Sequence, residues 1–439
     1  MRLKLKNIGK VKNAEINVDG LTIITGTNDS GKSTIAKALY SAVQIGAYSE
    51  SKEEKRIERL KKSYEAFRSE LDKMSLAKED LVLFEKEALE DFIGNAFVGD
   101  FNKNSLVYRD KIDSLPYSDK KKESVKMLFL QYMSRVKFYT FKGNLMMAVT
   151  SHISEEFKKD IMTKGVDGFS VKIEDDSDVV EWGCNRGDYK EMYYSIENEK
   201  LRSISDVTYV ESPLFVNILD ILVRASIYEP ERDINGKITY MPTVALHIKD
   251  FANKIDYLRY AIDEKGVYFD EISSIIGGEF KYDENKQRLI FCQNGQKETE
   301  GLDILNVASG VKSFGVVQTL LKVGAIGPKK MLIWDEPENH LHPEWQVKFA
   351  ELMVKLSKVG FPIVISTHSP YFLQAIRYFS AKEEIEDITN YYFLEEQDNR
   401  FSVVVDVKDD LNKVFVKLVQ PLDEIMNVDL VRMNNKKKK

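Results

Sequence analysis

With 439 residues, 43% of them apolar, the chain has the composition of an ordinary globular protein with room for two or three domains. A net charge of -6 gives no global field for holding nucleic acid, and Cys184 and Cys292 stand far apart in no metal-ligand or redox spacing. Charges at every second or third position of MRLKLKNIGK exclude a signal peptide, and no run approaches roughly 18 apolar residues, so a cytoplasmic chain without a membrane partner is expected.

The first informative element is Leu21–Thr25 (LTIIT), a β-branched apolar run that reads as a buried strand. It leads into Gly26, Thr27, Asn28, Asp29, Ser30, Gly31, Lys32 and Ser33, a full GxxxxGK[ST] match, and Thr34 then opens a helical stretch to Val43. The glycines let backbone N–H groups curl around a β-phosphate, Lys32 neutralises the β and γ oxygens, and the Ser33 hydroxyl ligates magnesium. The positive end of the following helix points at the same phosphates. Gly26 to Thr34 are therefore the expected ATP cradle, with Mg2+ as its companion ion.

From Ser49 to about Ile204 the chain turns charged and largely helical, and Ile57, Leu60, Tyr64, Phe67, Leu71 and Met74 recur at spacings of 3, 4, 3, 4 and 3. That a/d seam is too short for a long coiled coil and fits a helical hairpin or small helical subdomain. The division expected is 1–48, an N-terminal part with the P-loop; 49–204, a mainly helical insertion; 205–430, the remainder of the nucleotide-binding head; and 431–439, a basic tail. Beyond the insertion, Val207–Val210 is strand-like and ends at Glu211-Ser212-Pro213. Asn253-Lys254-Ile255-Asp256 matches the guanine-reading NKxD tetrad, but it lies in an amphipathic helical stretch instead of after a buried strand, so it is read as coincidence. Glu279–Tyr282 and Arg288–Cys292 flank a turn at Asp283-Glu284-Asn285 and predict a hairpin; Tyr391–Glu395 and Ser402–Asp406 predict another, both at the edge of the head.

Between these hairpins, Asn306 to Ser313 with Ser309-Gly310 opens a helix through Val323. Met331–Trp334 is a buried-strand pattern ending in Asp335-Glu336-Pro337, the Walker B arrangement in which Asp335 serves the magnesium shell and Glu336 is the candidate general base. Pro362–Ser366 is a further buried strand ending at Thr367-His368-Ser369, and His368 at its tip can reach a γ-phosphate or the attacking water. Only five histidines occur, three of them (His340, His342, His368) in these two tip loops.

The segments GTNDSGKST, ASGVKSFG, IWDEPENHLHPE and ISTHSP resemble the ABC-type ATPases of the SMC/RecF/OLD group, in particular stand-alone AAA-family members of bacterial antiviral defence systems. RLKLKNIGKVKNAEINVDGLTIITG is similar to that group's opening meander; the matching parts, about 1–45 and 295–425, make up roughly two-fifths of the chain. The resemblance implies an α/β ABC/SMC-type P-loop ATPase head, a mixed β lobe plus a parallel-sheet lobe, with a helical insertion. It implies ATP hydrolysis with magnesium at Ser33 and Asp335, catalysis by Glu336, Lys32 and a switch at His368. Ser309 and Gly310 would clamp the γ-phosphate bound by the opposite subunit of a homodimer or higher oligomer. Two departures stand out: no glutamine occurs after Val210 where a Q-loop belongs, and His342 replaces the D-loop acid. After Asp406 about thirty residues remain, too few for a nuclease domain, so the expected role is a sensor or regulator of a separate effector, a nuclease or toxin, in prokaryotic anti-phage defence. The alternatives are a DNA-maintenance ATPase that clamps DNA and a nucleotide-held scaffold with very slow turnover.

Overall fold

Burial sorts the strands into two kinds. In β1 (Arg2–Ile8) and β2 (Val11–Asn17) buried and exposed positions alternate, so Leu3, Leu5, Val11, Ala14 and Ile16 point inward while charged neighbours face water. In β3 (Leu21–Thr25) every residue is buried, the pattern of a strand covered on both faces. The computed structural model describes residues 1–47, 61, 64–85, 108–139, 149–150, 152–158, 160–185, 192–197, 201, 203–227, 231–232, 238–240, 244–261, 266–283, 285–286, 288–297, 300–397 and 401–420. They fall into two compact units, Met1–Tyr48 with Ser151–Lys439, and Ser49–Thr150.

The larger unit is built on one sheet of eleven strands. Its remaining members are β4 (Gly168–Asp175), β5 (Asp178–Asn185), β6 (Met192–Glu197), β7 (Asp206–Val210), β13 (Lys330–Asp335), β14 (Ile363–Thr367), β15 (Thr389–Gln397) and β16 (Phe401–Asp406), in the order β6-β5-β4-β1-β2-β16-β15-β3-β14-β13-β7. The end from β6 to β2 is antiparallel, whereas β15, β3, β14, β13 and β7 run parallel. The mixed and parallel regions expected as two lobes are thus one continuous sheet. Two small sheets complete the set: β8 (Glu231–Arg232) with β9 (Ile238–Tyr240), and β10 (Gly278–Asp283) with β11 (Arg288–Gln293) and β12 (Leu302–Asp303).

Three expectations need correction. The stretch 49–204 is not mainly helical throughout: from Gly168 it forms the meander β4-β5-β6, which joins the sheet through β1, because Phe169, Val171, Ile173 and Trp182 supply period-two apolar positions that the charged surroundings obscured. The hairpin β10-β11 forms at the predicted turn but in its own three-stranded sheet. The hairpin β15-β16 lies between β3 and β2 in the middle of the large sheet, since Tyr391–Leu394 are buried.

The main core gathers Trp334, Phe314, Phe349 and Phe372, with Trp334 and Phe349 ring centres 5.0 Å apart and Phe314 and Phe349 5.2 Å apart. These join β13 to the helices Ser309–Lys322, Pro343–Lys358 and Pro370–Lys382. In the smaller unit the predicted seam supplies Phe67 and Leu71, buried with Phe84, Tyr108, Ile112, Val125, Phe129 and Tyr132, while Tyr64 and Met74 pack at its margin. Ile57 and Leu60 of that seam, and the tail 431–439, lie outside the described residues. Cys184 and Cys292 are free and buried, and among the described residues no helix is long and apolar enough to cross a membrane.

Candidate functional site

The parallel strands all end at the same edge of the sheet, where ligands of open α/β sheets bind. Register aligns Thr25 with Thr367, Ser366 with Asp335, and Trp334 with Val210, so the P-loop, the His368 loop, the Walker B loop and Glu211 emerge side by side. Residues some three hundred positions apart in sequence, Lys32 and Glu336, are brought within 3.7 Å of each other at this edge.

The P-loop closes on two glycines that admit no side chain. A Cβ on Gly26 would sit 2.8 Å from Ser30 Oγ and 3.1 Å from Leu394 Cβ; one on Gly31, whose φ is +105°, would sit 2.9 Å from Val11 Cγ2. Gly31 is also the N-cap of the helix Lys32–Gly46. Lys32 is buried, and its Nζ donates to the carbonyls of Gly26 at 3.1 Å and Thr27 at 3.0 Å. Asp29 pairs with Lys10, and Ser33 is exposed at the helix start. Thr25 Oγ1 and Ser30 Oγ are buried without a hydrogen-bond partner, so the loop carries orphaned polar atoms of the kind a polar ligand satisfies.

Glu336 takes φ of 47°, a left-handed backbone that a residue with a Cβ adopts only when its surroundings impose it. Its N–H donates to Ser366 O at 2.9 Å, and its carboxylate accepts from Asn339 Nδ2 at 3.0 Å and from His368 Nδ1 at 3.1 Å, with Lys32 Nζ 3.7 Å away. Partial burial alone would raise its pKa, but Asn339, His368 and Lys32 together hold it below the ordinary carboxylate value. Asp335 Oδ1 accepts from Ser366 Oγ and Oδ2 accepts from Tyr209 OH at 3.2 Å. The buried Asp335 carboxylate and the exposed Ser33 hydroxyl are each hard oxygen donors of the kind magnesium prefers. Among the described residues no cluster of three or more His, Cys, Asp or Glu could hold a metal ion.

Glu338 ties the two loops together. Its Oε1 accepts from Thr367 Oγ1 at 2.7 Å, His368 N at 2.9 Å and Ser369 N at 3.1 Å, and it lies 3.5 Å from His368 Nδ1. Burial pushes its carboxyl above the ordinary value against these bonds, and Oε2 is buried without a partner. Sequence reading passed over Glu338 because it stands within a motif whose other residues already had roles.

The remaining candidates are placed differently. Ser309 Oγ donates to His340 O at 3.3 Å, and a Cβ on Gly310 would meet the Trp345 ring at 3.1 Å, so the signature turn rests on the loop after Walker B. The hydrogen bonds of Ser309 among the described residues do not run to its own P-loop. His342 is the N-cap of the helix Pro343–Lys358, its Nδ1 accepting from Glu344 N at 3.4 Å. The 253–256 tetrad lies in the helix Leu246–Asp256, where Lys254 bonds Val207 O and pairs with Asp206 and Asp250, as expected of a coincidental match.

The family model described as AAA ATPase domain matches residues 1–373, most of the chain. A search of curated proteins found no match. Among solved structures, the chain is similar to an SMC head bound to the C-terminal winged-helix domain of ScpA, at 12% identity and TM-score 0.43, covering 92% of this chain and 96% of that one. Likewise it is similar to the SMC head domain of Thermotoga maritima (12% identity, TM-score 0.38, 92% and 98% covered). A third similar structure is the Smc head with an extended coiled coil bound to the C-terminal domain of ScpA from Pyrococcus furiosus (12%, 0.42, 97% and 98%). The match along the sequence, with the P-loop strand β3 and the Walker B strand β13 on either side of β14 in the sheet, carries the assignment: the chain belongs to the AAA ATPase domain family.

Proposed function

We propose that this protein hydrolyses ATP and that two copies pair head to tail around the nucleotide. The observation that carries the reading is the position of Glu336 Oε1, 3.1 Å from His368 Nδ1 and 3.7 Å from Lys32 Nζ at one edge of the sheet. A carboxylate held ionised accepts a proton from water, and His368, donating through Nδ1–H, fixes which of its oxygens is occupied. Lys32 supplies a positive charge at the loop whose N–H groups face the phosphates, where charge develops during transfer. Magnesium held by Ser33 and Asp335 would neutralise the β and γ oxygens. Because the Ser309-Gly310 turn bonds away from its own P-loop, the positive end of its helix is offered to the nucleotide of a second copy.

The test is native mass with and without ATP on a Glu336→Gln protein. Dimers that need ATP are expected; a monomer indifferent to ATP would reduce Ser309-Gly310 to a helix cap and sink the pairing. The finer reading, regulation of a separate effector in anti-phage defence, is supported by the resemblance of the four motif segments, and it is tested by the chains that co-purify with the trapped protein. ATPase activity that rises with DNA and falls steeply with salt would point to a DNA clamp instead.

A further inference from the structure

A buried ion cluster stands behind the Walker B strand and takes no part in the chemistry above. His247, on the helix Leu246–Asp256, is fully buried; its Nδ1 lies 2.6 Å from Glu156 Oε1 and its Nε2 2.7 Å from Glu211 Oε2, while its backbone N–H donates to Glu156 Oε2 at 3.2 Å. Glu156 ends a single π turn, His152–Glu156, and Glu211 follows the last residue of β7. Each ring nitrogen thus has a carboxylate within hydrogen-bond distance, and although burial alone would lower the pKa of the imidazole, the two carboxylates raise it above the ordinary value.

The ring of Tyr209 stacks on that imidazole, with centres 4.4 Å apart and planes at 26°, and Tyr40 of the P-loop helix meets the Tyr209 and His247 rings at 6.3 and 6.0 Å. Tyr209 is itself fully buried, and its hydroxyl donates to Asp335 Oδ2 at 3.2 Å. Asp335 is therefore gripped from one side by Ser366 and from the other by a phenol that cannot shift without moving the His247 cluster. Ligating carboxylates are oriented by just such hydrogen bonds from outside the metal shell.

We propose that Tyr209, fixed by His247 between Glu156 and Glu211, is a positioning residue that sets the orientation of Asp335 toward magnesium. The proposal rests on the reading of Asp335 as the magnesium acid. In the test, a fluorescent ATP analogue is bound to the full chain in excess EDTA and then across a magnesium titration, for wild type, Tyr209→Phe, His247→Gln, Glu211→Gln and the Tyr209→Phe/His247→Gln double variant. In Tyr209→Phe the magnesium midpoint is expected to rise about 10- to 100-fold, with EDTA affinity unchanged. His247→Gln and Glu211→Gln shift it the same way, and the double variant is no worse than Tyr209→Phe, because all act through one hydroxyl. A Tyr209→Phe midpoint equal to that of a magnesium-responsive wild type would overturn the relay alone, as would single shifts that multiply in the double variant. Wild-type binding indifferent to magnesium would overturn the magnesium reading and the relay with it.

Discussion

Glu336, the proton acceptor of the proposed hydrolysis, is also a strained residue. Its left-handed backbone is held by the bond from its own N–H to Ser366 O, and its side chain by Asn339 and His368, so the acid is pre-positioned at the cost of local strain. Glu336→Gln keeps the shape but removes the proton acceptor; hydrolysis is expected to fall by about 10²- to 10⁴-fold while analogue binding persists, which single-turnover and binding assays separate. Glu338 acts on the neighbouring loop by accepting three donors on one oxygen. Glu338→Ala removes the acceptor that Thr367 Oγ1 and His368 N share, while Ser369 N keeps its bond to Thr367 Oγ1, and a stability loss of about 1–3 kcal/mol is expected in urea melts. The His247 cluster adds a pH dependence. His247 is raised, so its contribution is complete below the ordinary imidazole value of 6.5 and is lost as pH rises through the elevated one; Glu156 and Glu211 are lowered, so theirs is complete above 4.5 and lost on acidification through the depressed ones. Wild type should therefore exceed His247→Gln in thermal stability most between those two values, and the gap between their melting points should narrow at alkaline pH.

At the scale of elements, the site depends on how closely strands and helices approach. Gly31 combines a φ of +105° with a Cβ position 2.9 Å from Val11 Cγ2, so Gly31→Ala displaces either β2 or the start of the P-loop helix, and loss of nucleotide binding is the expected result in an analogue titration. Behind the loops, Phe349 joins Trp334 of the Walker B strand to Phe314 of the signature helix. Phe349→Ala removes that link and is expected to cost about 3–5 kcal/mol, with the urea midpoint falling and the slope unchanged if the fold persists. Gly315 gives the same helix its approach to β10: a Cβ there would stand 2.5 Å from the Phe280 ring. The signature turn is thus fixed to Walker B by aromatic packing on one side and by the Ser309–His340 bond on the other.

For the whole molecule, the proposed pairing makes a prediction that no property of an isolated chain makes. Ser309→Arg in a Glu336→Gln background places a bulky cation at the turn offered to the partner. ATP binding per chain should be retained while ATP-dependent dimers disappear from native mass spectra. Retained dimers would mean that the copies meet through another surface.

The local motifs were legible in the sequence because each is a contiguous chemical pattern: the GxxxxGK[ST] loop needs its glycines for steric reasons, and Asp335-Glu336 and His368 follow runs apolar enough to read as strands covered on both faces. The 253–256 tetrad could be set aside for the complementary reason, that its neighbours have helical periodicity. The meander β4-β5-β6 was hidden by charged residues on its open face, and the hairpin β15-β16 was misplaced because its local pattern fixes pairing with itself but not its neighbours in the sheet. His247, Glu156 and Tyr209 gave no signal at all. They lie 91 and 38 residues apart along the chain as His247 to Glu156 and to Tyr209, and a lone histidine on an amphipathic helix reads as packing until the fold sets two carboxylates against it. The sequence alone determined which loops carry the phosphate-binding pattern and which acids follow the apolar strands, since those properties are local. Only tertiary structure decided what orients those acids, since hydrogen-bond partners are selected by strand order and burial.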